Sequence, residues 1–338
     1  MIKFTHQRLL VVGLTAALMS GQDVQAQENT VDDISDYVFD KLPRQILEKF
    51  PERLIDDLKT KSDVGATLEV GGFITDNLSV SDIDVSSGND DIAAKASILL
   101  SYDQGLGENL NLGISYKGSQ TLYEDFSNFD FQSHLFTAKA DYTIKGYKVG
   151  VIYRNVDSTL SGEEFLQLGQ ISPYVSKFIG KKTFIRAAYS LSDKTFENVE
   201  SRNAKEHQGR LDAYYFVDGT RQYVIFGYAL EHSNADGDPF DFISNRLKFR
   251  YAQRVRLGQR KVKFGASWVY EVRDYENITP SIDSVRADKR HRGKIDIEVP
   301  INKSLYSRVE YQRELNSSNL PAADFNRNTV TFTLGLKL

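Results

Sequence analysis

Basic side chains recur at every second position in the C-terminal half of the chain, and their type and spacing suit the binding of charged molecules. Two such runs are RLKFR, with Arg246, Lys248 and Arg250, and RGK, with Arg292 and Lys294. At a period of two, the side chains of a β-strand point to the same face. Rows of fixed positive charge attract anions, and rings of them select anions in pores. The pattern therefore predicts a function that depends on the electrostatic attraction of anions to these residues.

Bond-making chemistry has little support in the sequence. The five histidines are His6, His134, His207, His232 and His291, and none lies in a recognisable Ser-His-acid arrangement. The sequence contains no nucleophile elbow, P-loop or paired metal ligands, and it has no cysteine. We therefore expect no enzymatic activity, no cofactor and no metal site. The lack of cysteine also excludes disulfides and thiolate metal sites.

The elements that carry the basic residues are predicted to be β-strands. In the C-terminal stretch RNTVTFTLGLKL, apolar residues from Val330 to Leu338 alternate strictly with Thr, Gly and Lys. The same period of two recurs from Val64 onward, and we count fourteen strands. Short joins such as KG and INK alternate with long polar joins such as ENVESRNAKEHQ and RDYENITPSIDSVRADKR. This alternation is typical of transmembrane barrels, which have short turns at one end and loops at the other.

The expected fold class is all-β: a closed antiparallel transmembrane β-barrel of fourteen strands over residues 63–338, after a short helical segment. A bilayer cannot satisfy backbone hydrogen bonds, so a spanning sheet must close on itself. The apolar parity then faces lipid and the polar parity faces a wet lumen. An even number of strands places both chain ends on one side. The alternative all-β fold is a soluble sandwich or propeller, which also uses alternation.

Basic residues outnumber acidic ones on the parity assigned to the lumen. On the last strands the predicted lumen-facing residues are Arg246, Lys248, Arg250, Lys263, Arg292, Lys294 and Arg308. Asp296 and Glu298 continue the same parity after Lys294. The lumen charges could therefore select anions, or they could pair across strands and only solvate the interior.

The first 62 residues differ from the rest. Residues 1–26 carry Lys3 and Arg8, an apolar run from Leu9 to Met19, and the small-residue ending Val24-Gln25-Ala26, which together predict a secretory signal peptide. Residues 27–62 have apolar residues at helical spacing, interrupted by prolines. We predict two or three short amphipathic helices, which form either a periplasmic tail or a plug or docking segment.

Three stretches resemble a known family: DAYYFVDGTRQY, DYENITPSIDSVRADKR and NSSNLPAADFNRNTVTF are similar to putative outer-membrane β-barrel porins. The chain also resembles, more loosely, the C-terminal barrel of surface lipoprotein assembly modifiers, for example at Phe240-Asp241-Phe242. The resemblance implies a fourteen-stranded barrel and, through the assembly modifiers, export of a surface protein. The helical-repeat domain of those modifiers has no counterpart in this sequence.

These observations predict a barrel in the outer membrane of a Gram-negative cell that forms a channel for polar, chiefly anionic, solutes. The alternative is an export or assembly barrel that translocates a surface protein or polysaccharide. The expected partners are outer-membrane lipid and lipopolysaccharide, the barrel-assembly machinery, and a periplasmic partner bound through residues 27–62. The formal net charge of −4 gives no reason to expect nucleic-acid binding.

Overall fold

The structure, a computed structural model, describes residues 62–80 and 83–338. The predicted signal peptide over 1–26 and all but the last residue of the predicted helical segment 27–62 lie outside the described residues. Within the described part of the chain, no helix is long and apolar enough to cross a membrane.

Fourteen antiparallel strands form one closed barrel, and a small hairpin lies between the first two of them. The strands are β1 Ser62–Thr75, β2 Ser79–Val80, β3 Val85–Ser86, β4 Asp91–Leu106, β5 Leu110–Tyr123, β6 Phe131–Ile144, β7 Tyr147–Leu160, β8 Glu163–Ile179, β9 Thr183–Phe196, β10 Ala204–Asp218, β11 Gln222–Ala235, β12 Phe242–Leu257, β13 Arg260–Thr279, β14 Ser284–Pro300, β15 Leu305–Ser318 and β16 Phe325–Lys337. Each barrel strand pairs with its neighbours in sequence. The predicted fold class is confirmed, and the sandwich and propeller alternatives are wrong.

The first and last barrel strands close the sheet. Their register runs from Thr67 opposite Lys337 to Thr75 opposite Thr329. Beyond it, the Leu338 amide donates to the Ala66 carbonyl at 2.9 Å. Residue 62 and residue 338 therefore lie at the same end of the barrel, as predicted, and we call this the terminal end. The opposite end, which carries the joins after β1, β5, β7, β9, β11, β13 and β15, is called the loop end.

The strands extend further than the sequence pattern indicated, so the predicted alternation of short and long joins holds at most positions but fails at the β7–β8 and β13–β14 joins. Of the stretch 273–290, predicted as a long join, only residues 280–283 lie between β13 and β14. At the loop end, β7 and β8 are joined by Ser161 and Gly162 alone, with φ of 55° and 79°. Positive φ at both central residues is the geometry of a tight type I′ hairpin. Polar residues near the loop end continue the strands, and those on the inner parity, such as Arg286, Asp288 and Arg290, are buried inside the barrel.

The longest join at the loop end spans residues 76–90, and its described residues, 76–80 and 83–90, fold into the barrel; we call these residues the inner loop. Its Leu78 is fully buried and Val80 is almost so. They belong to one apolar cluster with aromatic residues of the barrel wall and its joins: Tyr123, Phe129, Phe131, Phe165 and Phe196. A second cluster, which includes Phe178, Phe184 and Phe216, lies inside the wall near the terminal end. The interior is therefore not uniformly polar, unlike the wet lumen that the alternation predicted.

Candidate functional site

The outside of the barrel is apolar. One parity of each barrel strand carries large hydrophobic side chains that no other part of the described chain covers, such as Leu211, which is 51% exposed, and Phe332, which is 49% exposed. The other parity carries the polar and charged residues, and many of these are buried. A closed sheet with an apolar exterior and a charged interior is the arrangement of an outer-membrane-type barrel, because lipid stabilises the exterior.

Three histidines lie on the outer surface of the barrel. The Nδ1 atoms of His134 and His207 lie 2.7 Å and 2.8 Å from the hydroxyls of Tyr116 and Tyr189. The ring of His291 stacks on Tyr270 with 4.6 Å between the centroids. Tyrosine rings with a bonded polar tip suit a membrane interface. These three histidines are thus on the lipid side of the wall, away from the interior.

Inside the barrel lies a cavity of about 580 Å³, bounded mainly by β1, β4, β5 and β12–β16. Among the described residues that line it, the basic ones outnumber the acidic ones. The basic residues are Lys95, Lys117, Arg250, Arg254, Lys263, Lys294, Arg308, Arg327 and Lys337, and the acidic ones are Glu69, Asp296, Glu298 and Glu310. The lining reaches from Lys337 near the terminal end to Ser79 of the inner loop. The cavity therefore extends along most of the barrel.

Several cavity cations converge on one carboxylate near the terminal end. The Glu298 carboxylate accepts hydrogen bonds from Lys263, from Lys337 at 3.3 Å and from Arg308 at 3.2 Å. Arg308 also reaches Glu69 at 3.0 Å. Three cations thus share Glu298, and one of them, Arg308, also pairs with Glu69, so pairing lowers the positive charge of this region without cancelling it.

Four of the seven predicted lumen residues line this cavity: Arg250, Lys263, Lys294 and Arg308. Lys294 contacts Glu310 at 3.1 Å, and the Lys263 side chain is 41% exposed. Pairing, one of the two alternatives raised by the sequence, therefore applies to Lys294 and also to Lys263, which binds Glu298, while anion selection by this wall stays a prediction.

The other three predicted residues, Arg246, Lys248 and Arg292, are not among the residues that line the cavity. Arg246 binds Glu271 at 3.2 Å, and Arg292 binds Glu314 at 3.3 Å. Lys248 is 9% exposed. The buried ion pairs of Arg246 and Arg292 compensate the charges of these two side chains.

The buried pairs extend into a network that sequence reasoning missed. Glu314, with no exposed surface, is contacted by Arg290 at 3.6 Å, Arg292 at 3.3 Å and Arg327 at 2.5 Å. Arg273 donates to Glu271 at 2.7 Å. Arg290 and Arg273 lie in the stretch that was predicted to be a loop. The sequence did contain a pattern that indicates a strand here. Charged residues occupy every second position without a break, namely Arg286, Asp288, Arg290, Arg292 and Lys294.

The inner loop bounds the cavity at the loop end and is held by charged contacts. Ser79 Oγ accepts a hydrogen bond from Arg327 at 2.9 Å. Asp84 accepts two bonds of 2.8 Å from Arg286 on β14 and one of 2.5 Å from Arg202 in the join 197–203. The loop thus crosses from the β1 side to both β14 and the β9–β10 join.

Asp84 stays ionised in this setting. Burial alone would raise the pKa of its carboxyl, but the hydrogen bonds and charges of Arg286 and Arg202 outweigh burial and hold that pKa below its usual value. We call the contact of Asp84 with Arg286 and Arg202 the latch.

No family model matches the chain. A search of curated proteins also finds no match. Solved structures that resemble the barrel include an anion-selective porin from Comamonas acidovorans (11% identity, 82% of this chain, 99% of that chain, TM-score 0.49). Another is a loop-deletion mutant of OmpT from Vibrio cholerae (9% identity, 82% of this chain, 100% of that chain, TM-score 0.46). A third is OprD from Pseudomonas aeruginosa (10% identity, 82% of this chain, 95% of that chain, TM-score 0.43). At these TM-scores, the likenesses add nothing to what the barrel itself shows.

Proposed function

We propose that the protein is an outer-membrane channel of the porin type for polar, chiefly anionic, solutes. The observation that carries this proposal is the excess of lysine and arginine over glutamate and aspartate around the interior cavity. Charges that line a narrow, low-dielectric passage set the sign of the ions that enter it. No reaction is assigned to the barrel, since three of its histidines lie on the outer surface.

The cavity has the shape that such a channel needs. Its lining runs along the barrel from Lys337 near the terminal end to Ser79 of the inner loop. Fourteen strands are fewer than those of wide porins with open aqueous channels, so side chains occupy much of the lumen. A solute passing through would contact the lysines and arginines directly.

The proposal also includes how the protein reaches the outer membrane and what it contacts there. A signal peptide over 1–26 would deliver the chain across the inner membrane, and the terminal end would face the periplasm. In a channel, residues 27–62 would bind a periplasmic partner from that side, whereas a plug formed by residues 27–62 belongs to the export proposal below. Lipopolysaccharide would surround the loop end, and the barrel-assembly machinery would insert the chain.

Ion selectivity in planar bilayers tests the channel. In a potassium chloride gradient, the reversal potential of the wild-type protein should indicate preference for chloride. Lys263→Gln with Lys294→Gln, which removes two cavity cations, should move the reversal potential toward cation preference. Lys205→Gln with Arg313→Gln, which removes the same charge from the outer parity, should leave it unchanged. A cation-selective wild type, or equal shifts in both pairs, would contradict the proposal.

Export of a surface protein or polysaccharide is a second proposal. It rests on the sequence resemblance to surface lipoprotein assembly modifiers and on the inner loop, which covers the cavity as a barrier to small solutes would. The two functions differ in conductance. A channel should conduct steadily as the full mature chain, whereas an export barrel should stay closed until residues 27–62 are deleted.

A further inference from the structure

The wall opposite the cavity, formed by β7–β10, holds a second group of basic side chains. Arg154 on β7, Arg186 on β9 and Arg210 on β10 all lie on the inner parity. Arg154 and Arg186 are 4% and 7% exposed. The positive charges of Arg186 and Arg210 both act on Arg154. We call these three residues the arginine cluster.

The hydrogen bonds of the arginine cluster leave Arg154 short of negative charge. Arg210 Nε binds both oxygens of Asp212, at 3.2 Å and 3.0 Å, and the Arg186 guanidinium stacks 3.8 Å above the Tyr174 ring. Arg154 donates from Nη1 to the neutral amide oxygen of Gln170. Its Nε is buried and has no hydrogen-bond partner among the described residues. A buried charge that faces like charges and a neutral amide is costly.

Small polar groups that can donate hydrogen bonds lie beside Arg154. Ser172 and Ser190 are 4% and 7% exposed, and their hydroxyls lie 2.7 Å apart. The Gln170 amide nitrogen donates to Ser192 Oγ at 2.9 Å. The hydroxyl protons of the serines can rotate to donate to an acceptor that binds nearby. The paired N–H groups of a guanidinium have the spacing to donate to two oxygens of a tetrahedral or planar oxyanion.

We propose that the arginine cluster, together with Ser172 and Ser190, binds one small inorganic oxyanion of the sulfate or phosphate class inside the barrel wall. The anion would supply the negative charge that Arg154 lacks and would accept hydrogen bonds from its Nε and from the serine hydroxyls. This site is separate from the cavity, since none of these residues lines that opening. The inference does not depend on channel activity.

Radiolabelled sulfate tests the site on the purified, detergent-solubilised full chain. Equilibrium dialysis at constant ionic strength should show saturable binding of one sulfate per barrel, displaced by unlabelled phosphate. Arg154→Gln should abolish this binding, and Arg154→Lys, which keeps the charge but loses the fork, should weaken it. Arg254→Gln, which removes a cavity cation, should leave it unchanged.

Thermal unfolding provides a second measurement on the same proteins. Sulfate should raise the unfolding temperature of wild type and Arg254→Gln more than that of Arg154→Gln, whose response reports only the general effect of the salt. Heat-modifiable mobility on gels would establish that each variant has folded. If Arg154→Gln does not fold, the proposal is tested with Arg154→Lys and with the sulfate titration of the wild-type protein. Absence of saturable binding, or equal binding by wild type and the Arg154 variants, would overturn the proposal. Loss of sulfate binding in Arg254→Gln alone would place the anion in the cavity and would also overturn it.

Discussion

Asp84 and Arg286 are 202 positions apart in the chain, yet the Arg286 guanidinium donates two hydrogen bonds of 2.8 Å to the Asp84 carboxylate. Arg286 also binds Asp288 on its own strand at 2.7 Å, so a contact within β14 holds it in addition to the one with the inner loop. The contact between Asp84 and Arg286 ties the first join of the barrel to β14 at the loop end. It adds one buried carboxylate to the other contacts of the inner loop, which are the Ser79–Arg327 hydrogen bond and the burial of Leu78 and Val80.

Replacing Asp84 by Asn should release the inner loop. The substitution leaves Arg202 and Arg286 without that carboxylate, and breaking a buried ion pair from one side costs about 3–5 kcal/mol. Amide hydrogen exchange should accelerate at Ser87, whose amide donates to the Leu78 carbonyl at 2.8 Å, and at Leu78, whose amide donates to the Asn89 carbonyl at 3.1 Å. Asp90→Asn, an exposed change in the same loop, is the matched control and should leave exchange slow. Unchanged exchange in Asp84→Asn would show that the apolar cluster alone holds the loop.

The latch should open only in acid. Because the pKa of the Asp84 carboxyl is held below its ordinary value, the latch contributes its full stability above the ordinary aspartate pKa and loses it as the pH falls through the lowered value. A nitroxide at Ser87→Cys would report this motion cleanly, since the chain has no cysteine of its own. The label should stay immobile at neutral and mildly acidic pH and become mobile below that range. In the Asp84→Asn background its mobility should not change with pH.

Glu314→Gln should destabilise the barrel strongly. Glu314 is fully buried and compensates Arg290, Arg292 and Arg327, so its neutral form leaves three guanidinium groups close together. A loss of about 3–5 kcal/mol in unfolding free energy is expected. The single tryptophan, Trp268, lies on the outer surface and would report denaturant unfolding from lipid vesicles. Glu310→Gln removes a partly exposed partner of Lys294 and should cost only about 1 kcal/mol or less.

The depth of the membrane can be measured with arginine substitutions on the outer surface. Leu211 lies at the middle of β10, and Val217 lies near the terminal end of the same strand; both are exposed to the outside. Leu211→Arg should cost about 2–4 kcal/mol in vesicles and Val217→Arg about 1 kcal/mol or less, because the cost of a charge is greatest at the midplane. Similar costs at both positions would contradict the assigned span.

The period of two predicted the barrel well because it reports directly which side chains share a face. It gave the fold class, the number of barrel strands and the pairing of the C-terminal strand with the first. It failed where both faces of a strand are polar: Arg286, Asp288 and Arg290 continue the inner parity, but without apolar partners they resembled a loop.

The candidate site was predictable only in part, because parity gives the direction of a side chain and not its surroundings. Arg250 and Arg292 have the same pattern in sequence, yet Arg250 lines the cavity while Arg292 is packed against Glu314. The latch was beyond the sequence altogether. It depends on how the inner loop folds across the barrel, and no local pattern specifies a contact over that separation.

The burial of Leu78 and Val80 determines how the inner loop can move. Neither side chain has room to shift gradually, since any partial withdrawal would expose both, along with the faces of Phe131 and Phe165, to water. The loop should therefore exchange between two discrete positions with nothing stable between them. A current recording from one molecule should accordingly show abrupt steps separated by long dwell times.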